Sequence, residues 1–429
     1  MTTRRDAPRL ALTLLTAIAT VGFVDRIVMN VLAVPVQQEF RLTDTQVGLL
    51  TGLAFAVLNV TLGIAVARYA ERGHRLSLIA VGTLLWSLAT AVCGVVANFG
   101  QLLLARVGVG VGEAVGLPAQ QSVLADYYPP ERRASAVSVW ILAPPIGAFV
   151  GASGAGWIGQ ALGWRAAFFI ATVPGALLAV AAWAFVAEPP RGRYDAEASG
   201  AVPSIGAVLK RLLGLRSARQ LLFGSTLASL VGFGLNGFIT FLLVRRFDMS
   251  LAQAAFYAAL LGSLPGAISV VAGGRLADRY GPRRPSLYAA IPGWCLVIAA
   301  PVYIFAITRT DATLLLVLVF VAALFQYTYL GVTYGVFQNL LHSRMRATGS
   351  AVLNGIYGLV GQGLGTVLVG ALSDWLAPRF GRAEGLAYAM AITAAIYLWA
   401  GAHYLLAARH VGPDVARMRG EGGWSSASI

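Results

Sequence analysis

The chain has 429 residues, 58% of them hydrophobic and 12% charged, with a mean hydropathy of +0.72 and a net charge of +14. Average soluble proteins carry roughly 45–50% apolar and 25% charged residues, so a soluble globule, a disordered chain and a nucleic-acid-binding domain are all excluded. A basic excess on so apolar a chain must sit at particular places, and those places carry the first functional information.

Twelve apolar runs follow one another along the chain, at about 10–34, 47–67, 77–97, 100–124, 134–160, 165–186, 219–244, 253–273, 285–307, 312–340, 347–373 and 385–408. Each is near the ~20 residues that cross a bilayer. The alternation of a membrane β-barrel is absent, and a helix satisfies its own backbone polar groups in lipid, so the spans are helices. The expectation is an all-α membrane protein of twelve transmembrane helices in two pseudo-symmetric six-helix bundles. The first bundle is 1–186 and the second 219–408. A cytoplasmic linker with an amphipathic helix, 187–218, joins them, and 409–429 is a cytoplasmic tail. No cleavable signal peptide is evident: the first apolar run is too long and lacks a clear small-residue cleavage site.

The arginines report orientation. Even-numbered connections and both tails hold 23 of the 32 Lys and Arg residues, and odd-numbered connections hold 7. That asymmetry places both termini in the cytoplasm, with the protein in the cell (inner) membrane. Lys210 is the one lysine. The linker opens Glu188-Pro189-Pro190-Arg191-Gly192 and closes on a basic amphipathic run through Lys210, Arg211, Arg216 and Arg219. Cys93 and Cys295 lie in apolar stretches, and the four histidines form no ligand pattern, so neither a metal nor another cofactor is expected.

Four ionisable residues lie well inside spans: Asp25, Arg26, Arg106 and Glu113. Each costs at least a few kcal/mol there unless paired or hydrated. Their charges cancel, as mutual pairing requires. From helical rise, Asp25 lies roughly 22 Å from the cytoplasmic start of span one and Arg106 roughly 9 Å from the outer start of span four. In a core of about 30 Å these two are level and can pair. Glu113 lies two turns beyond Arg106, roughly 10 Å deeper. Gln120 extends the same face, and Gly108, Gly110 and Gly112 leave room for a neighbouring helix. A carboxyl group whose arginine partner comes and goes would load and release a proton, while arginine stays charged and acts as modulator or anion anchor. A static ion-pair network tying helices one and four together is the alternative.

The second half supplies polar and aromatic groups. Tyr327, Tyr334 and Gln338 share one face of span ten, span seven offers Asn236 and Thr240, and span eleven offers Asn354 and Tyr357. With Arg26, Arg106, Gln120 and Trp140 they are candidates to line a cavity, charged on one side and amphipathic on the other. Tyrosines anchoring at the membrane interface and amides joining helices are the alternative roles.

The halves repeat. Phe40-Arg41-Leu42-Thr43 and Phe247-Asp248-Met249-Ser250 are 207 residues apart, as are Glu71-Arg72 and Asp278-Arg279. Arg132-Arg133-Ala134-Ser135 follows span four, and Arg344-Met345-Arg346-Ala347-Thr348 follows span ten. Two parallel repeats imply a site near the midplane between the halves, reached alternately from each side by their rocking.

Gly274-Arg275-Leu276-Ala277-Asp278-Arg279-Tyr280-Gly281-Pro282-Arg283 resembles the loop signature of the major facilitator superfamily. The first-half copy, Ala70-Glu71-Arg72-Gly73-His74-Arg75, is degraded, with Glu for Asp and Ala67 for glycine. Pro144-Pro145-Ile146-Gly147 with Gly151, Gly154 and Gly156 resembles the superfamily's helix-five motif. Asp25-Arg26, Gly110-Val111-Gly112-Glu113-Ala114 and the Glu-Pro-Pro-Arg-Gly linker start are similar to the spinster-like group, and arginine-rich, lysine-poor usage suggests a bacterial member. The resemblance implies the major facilitator fold, a monomer, and a secondary active transporter. It also implies that Glu71, Arg72, Asp278 and Arg279 latch a cytoplasmic gate. Its substrate would be a lysophospholipid or another amphiphilic anion, moved with proton coupling. Transport of a small organic anion or drug is the alternative, and a non-transporting membrane receptor or scaffold is a reading from another class. No ATP-binding loop or catalytic constellation is visible, so the chain reads as no enzyme.

Overall fold

The computed structural model describes residues 7–57, 61, 73–191, 193–194, 204–341 and 345–420. Helices stand at all twelve expected places, the second described from Asp44 to Val57. Among the described residues, ten helices are long and apolar enough to cross a membrane, one of them holding parts of spans eleven and twelve.

The helix boundaries have local causes. Span one, Pro8–Phe40, opens with proline in its first turn and stops at Arg41, which adopts the left-handed conformation at φ 51°. Thr43 and Gln46 form a reciprocal capping box that starts span two. His74 caps span three, Arg75–Cys93, and Asn98 caps span four, Phe99–Tyr127. Span five breaks into Pro130–Trp140 and Ala143–Leu162, where Pro144 and Pro145 open a new first turn. Gly163, at φ 86°, turns the chain into span six, Trp164–Phe185.

The linker helix, Ile205–Gly214, is capped by Ser204 and buries Val208 and Leu212. Spans seven to nine are Arg216–Phe247, Leu251–Tyr280 and Leu287–Ile307. Span ten is two pieces, Ala312–Gln326 and Thr328–Leu340. Span eleven begins as Arg346–Ile356, widens into π-helical turns over Tyr357–Leu364, and continues from Gly365. Gly381, at φ 80°, separates it from span twelve, which runs on to Gly420. Beyond residue 408 this last helix still buries Val411 and Val415. Its Asp414 caps span seven, accepting from Ser217 N at 2.9 Å and Ser217 Oγ at 2.6 Å.

By compactness the chain divides into two units: Met1–Ser199 with Asp248–Ala259, and Gly200–Phe247 with Leu260–Ile429. Within the first unit, span six buries only 22% of its most apolar window and leaves the rest of its apolar surface uncovered by protein. Span seven buries 72% of its own and forms the interior of the second unit.

The repeat holds in the backbone. Arg41 and Asp248, 207 residues apart, have φ 51° and 50°, a left-handed geometry uncommon for any residue but glycine. Gly163 and Gly381 match at φ 86° and 80°. Each unit also has an ion pair near these turns. Glu39 accepts from Arg165 Nη1 at 2.8 Å and from Trp164 Nε1 at 2.7 Å. Arg246 Nε pairs with Glu384 Oε1 at 2.8 Å and also donates to the carbonyl of Ile307. Arg246 stands 207 residues after Glu39, so the sign of the pair is reversed between the units.

Candidate functional site

Span one runs for 33 residues, or about 50 Å at helical rise, well beyond a hydrocarbon core of about 30 Å. Its midpoint falls at residue 24, and that of span four, 29 residues long, at residue 113. The two midpoints bring Arg26 and Glu113 to one level. Arg26 Nε donates to Glu113 Oε2. The expected pairing was Asp25 with Arg106; these two make no ion pair within 4.0 Å. The sequence estimate failed because hydropathy marks the apolar core and misses the polar helix ends, such as Gln37 and Glu39, that shift the true midpoint.

Asp25 instead accepts from Thr90 Oγ1 on span three at 3.2 Å, through Oδ2. Its Oδ1, Arg106 Nε and Glu113 Oε1 are buried with no hydrogen-bond partner. Buried polar groups in native interiors are usually hydrogen-bonded, so these three atoms leave capacity here for water, a proton or a ligand group. Phe55 of span two lies beneath both guanidiniums, its ring centre 4.9 Å from Arg26 Cζ and 5.9 Å from Arg106 Cζ. The quadrupole of the ring attracts both cations.

Glycines set the spacing. A Cβ on Gly112 would stand 2.6 Å from the backbone nitrogen of Trp86, so spans three and four touch backbone to backbone next to Glu113. A Cβ on Gly147 would stand 2.5 Å from the carbonyl of Thr20, so the helix-five motif packs directly behind the charged turn of span one. A small cleft within the first unit is bordered by Gly22, Arg26, Trp86, Glu113, Gly116 and Gln120. Trp140 is buried, its Nε1–H donating to Gln120 Oε1 at 3.0 Å.

In the second unit the expected residues pair with one another. Asn236 Nδ2 donates to Tyr327 Oη at 2.8 Å, and Tyr334 Oη to Asn354 Oδ1 at 2.5 Å. Tyr334 meets Tyr357 edge to face at 6.0 Å, and Thr240 is buried. The side chain of Gln338 lies outside the described residues, as do Glu71, Arg72 and the side chain of Asp278. Arg279 is exposed at the end of span eight, over the Tyr280 ring.

Two clusters escaped the sequence reading. Arg75, buried at 2% exposure, donates to Glu188 Oε1 at 2.6 Å, to Asp126, to Ser122 Oγ at 2.9 Å and to the carbonyl of Pro189 at 3.0 Å. This arginine ties the starts of span three and the linker to the end of span four. The available signal was an acid, Asp126 or Glu188, at the same end of two neighbouring spans. In the second unit, Tyr303 Oη donates to Gln326 Oε1 at 2.5 Å, and Tyr303 stacks on Tyr397 at 6.0 Å. Nothing but an aromatic residue in an apolar run marked these.

A repeat of six helices, a buried neutral quartet and a small cleft beside it define a membrane transporter. Residues 14–366 match the model of the Major Facilitator Superfamily. The chain belongs to that family, in its spinster-like branch, and is a transporter and not an enzyme. A crystal structure of a bacterial homologue of the human lysosomal transporter Spinster, inward-facing and unoccupied, superposes with a TM-score of 0.87 at 31% identity, covering 98% of this chain and 99% of that one. An MFS-type efflux pump of Mycolicibacterium smegmatis is 30% identical over 420 residues, 95% of each chain. A probable sphingolipid transporter of Arabidopsis thaliana, spinster homolog 1, is 32% identical over 156 residues, 36% of this chain and 31% of the relative.

Proposed function

We propose that the protein is a secondary active transporter that works by alternating access, couples to protons and moves a lysophospholipid or another amphiphilic anion. One observation carries this reading: Glu113 engages Arg26 through Oε2 while its buried Oε1 has no partner. A carboxylate half-engaged in this way accepts a proton on the free oxygen, which guanidinium cannot do. Protonation removes the charge that holds Arg26, and Arg26, 18% exposed at the cleft, is then available to an anionic head group. Asp25, with its own open oxygen, is the second proton carrier, and Arg106 modulates it.

The second unit supports an amphiphilic cargo. Asn236 and Asn354 are exposed amides within spans, and polar groups so placed face water rather than lipid. Their tyrosine partners offer ring surface beside the amides, which suits a molecule with a polar head and an apolar body. Proton-coupled efflux of a drug-like anion is a second reading, favoured by the similarity to an efflux pump along 95% of the chain. On either reading the protein sits in the inner membrane with both termini in the cytoplasm, as a monomer. Its domains are bundles 1–186 and 219–408 around the linker 187–218. Glu71, Arg72, Asp278 and Arg279 belong to the cytoplasmic gate.

The test is uptake into proteoliposomes of lysophospholipids against small organic anions, with and without a proton gradient. Gradient-dependent movement of lysophospholipid supports the proposal. Uptake only of small anions sinks the lipid substrate, and full gradient dependence in both Asp25→Asn and Glu113→Gln sinks the coupling assignment.

A further inference from the structure

Arg216 opens span seven, and Arg219 and Phe223 follow three and seven residues later, so the three share one face of the helix. All three are exposed. Neither arginine side chain has a hydrogen-bond or ion-pair partner among the described residues. The carboxylate at this end of the unit, Asp414, is held by Ser217 N and Oγ, so it caps the helix.

Beside this face stands an aromatic stack from span twelve. The His403 ring lies between Phe223 and Trp399, with ring centres 5.9 Å and 6.0 Å away and both planes tilted by 34°. Gln220 Oε1 fixes that ring by accepting from Nδ1–H at 2.5 Å. Phe223 is 50% exposed and Trp399 61%. On a multi-pass membrane protein such rings meet acyl chains, and tryptophan marks the border of the head-group layer.

The spacing along the helix is informative. From Phe223 to Arg219 is about 6 Å and to Arg216 about 10 Å. The head-group layer on one side of a bilayer is roughly 5–8 Å deep. With Phe223 at the top of the hydrocarbon, Arg219 stands among the lipid phosphates, and Arg216 stands just above them, close enough for its long side chain to reach back to them. Two planar forks, three residues apart and without protein partners, match a phosphate in geometry and charge.

We propose that Arg216, Arg219, Phe223 and Trp399 hold one anionic phospholipid of the bilayer, its phosphate between the guanidiniums and its upper acyl chain along the two rings. Zwitterionic lipid binds less well, because its own cation meets the arginine pair. The site is independent of the transported substrate and of the proton carriers.

The test uses the purified full chain, with lipid retention read by native mass spectrometry and thermal stability read in detergent. Titrants are dioleoyl phosphatidylglycerol, dioleoyl phosphatidylcholine and inorganic phosphate. The wild type retains phosphatidylglycerol and is stabilised by it. R216Q/R219Q weakens that binding by about tenfold or more, while R283Q/R284Q, which removes another exposed pair, leaves it unchanged. F223A/W399A weakens binding of the dioleoyl lipid and spares that of a short-chain phosphatidylglycerol. Equal weakening by the two arginine pairs, equal stabilisation by phosphatidylcholine, or stabilisation by inorganic phosphate alone would each overturn the proposal.

Discussion

At the centre of the first unit are Asp25, Arg26, Arg106 and Glu113, three of them with an unpartnered buried atom. The second unit answers, from spans seven, ten and eleven, with Asn236, Tyr327, Tyr334 and Asn354, which hydrogen-bond in neutral pairs. The two halves share a repeat length, two left-handed turns and an ion pair near those turns, so their difference lies in chemistry rather than in scaffold. A neutral hydrogen bond stays satisfied at any pH near neutrality, whereas a carboxylate on a guanidinium responds to a proton. On the function proposed above, the difference would put the proton carriers in the first half, beside the Arg26 anchor, and the neutral contacts to cargo in the second.

The largest effect that separates the halves is on coupling. Glu113→Gln brings gradient-driven uptake in proteoliposomes to the level of empty vesicles, while Tyr327→Phe keeps the dependence on the gradient. If the two variants lost it equally, the division between halves would fail. Packing comes next. Gly112→Ala places a Cβ 2.6 Å from a backbone nitrogen, and overpacking of this kind costs about 3 kcal/mol, read as a lower melting temperature. Gly335→Ala in the second unit meets no atom within 4 Å, and the gain in helix propensity makes it neutral or stabilising by up to about 1 kcal/mol.

The matched ion pairs give a smaller contrast. Arg246 is buried at 8% side-chain exposure, and Arg246→Gln loses about 2 kcal/mol of thermal stability, typical of a charged hydrogen bond. Arg165 is 42% exposed, and Arg165→Gln loses at most about 1 kcal/mol, an effect that salt screens. Equal losses would show that burial does not distinguish the two pairs. Similar in size to the exposed pair, Tyr327→Phe removes one neutral hydrogen bond to Asn236, at about 1 kcal/mol of stability, and raises the apparent KM for substrate.

Much of the fold is legible in the sequence, because water and lipid sort residues coarsely. Apolar runs of bilayer length and the 207-residue repeat suffice for twelve helices in two halves. The four buried charges also stand out, since charge is rare inside a span. Their pairing does not, because it depends on where helices end and how far they project past the lipid. A shift of one turn moves a side chain by about 5 Å, enough to exchange partners. Arg75 with Asp126 and Glu188, or Glu39 with Trp164 and Arg165, unite residues far apart in sequence that look like ordinary loop charges. The phenol of Tyr303 and the amide of Gln326 were hidden for the opposite reason: a single polar atom on a long apolar helix barely changes its hydropathy.

The reversed pair near the turns bears on ancestry. Glu39 with Arg165 and Arg246 with Glu384 perform one task with the signs traded, and the second partner stands two residues after Gly163 but three after Gly381. A residue-by-residue alignment of the two halves would score every one of these positions as a mismatch. What the two halves share at this place is the bond and its location, while the residues that form it differ. Kinship between repeats of this kind is better sought by comparing interacting couples than by comparing letters.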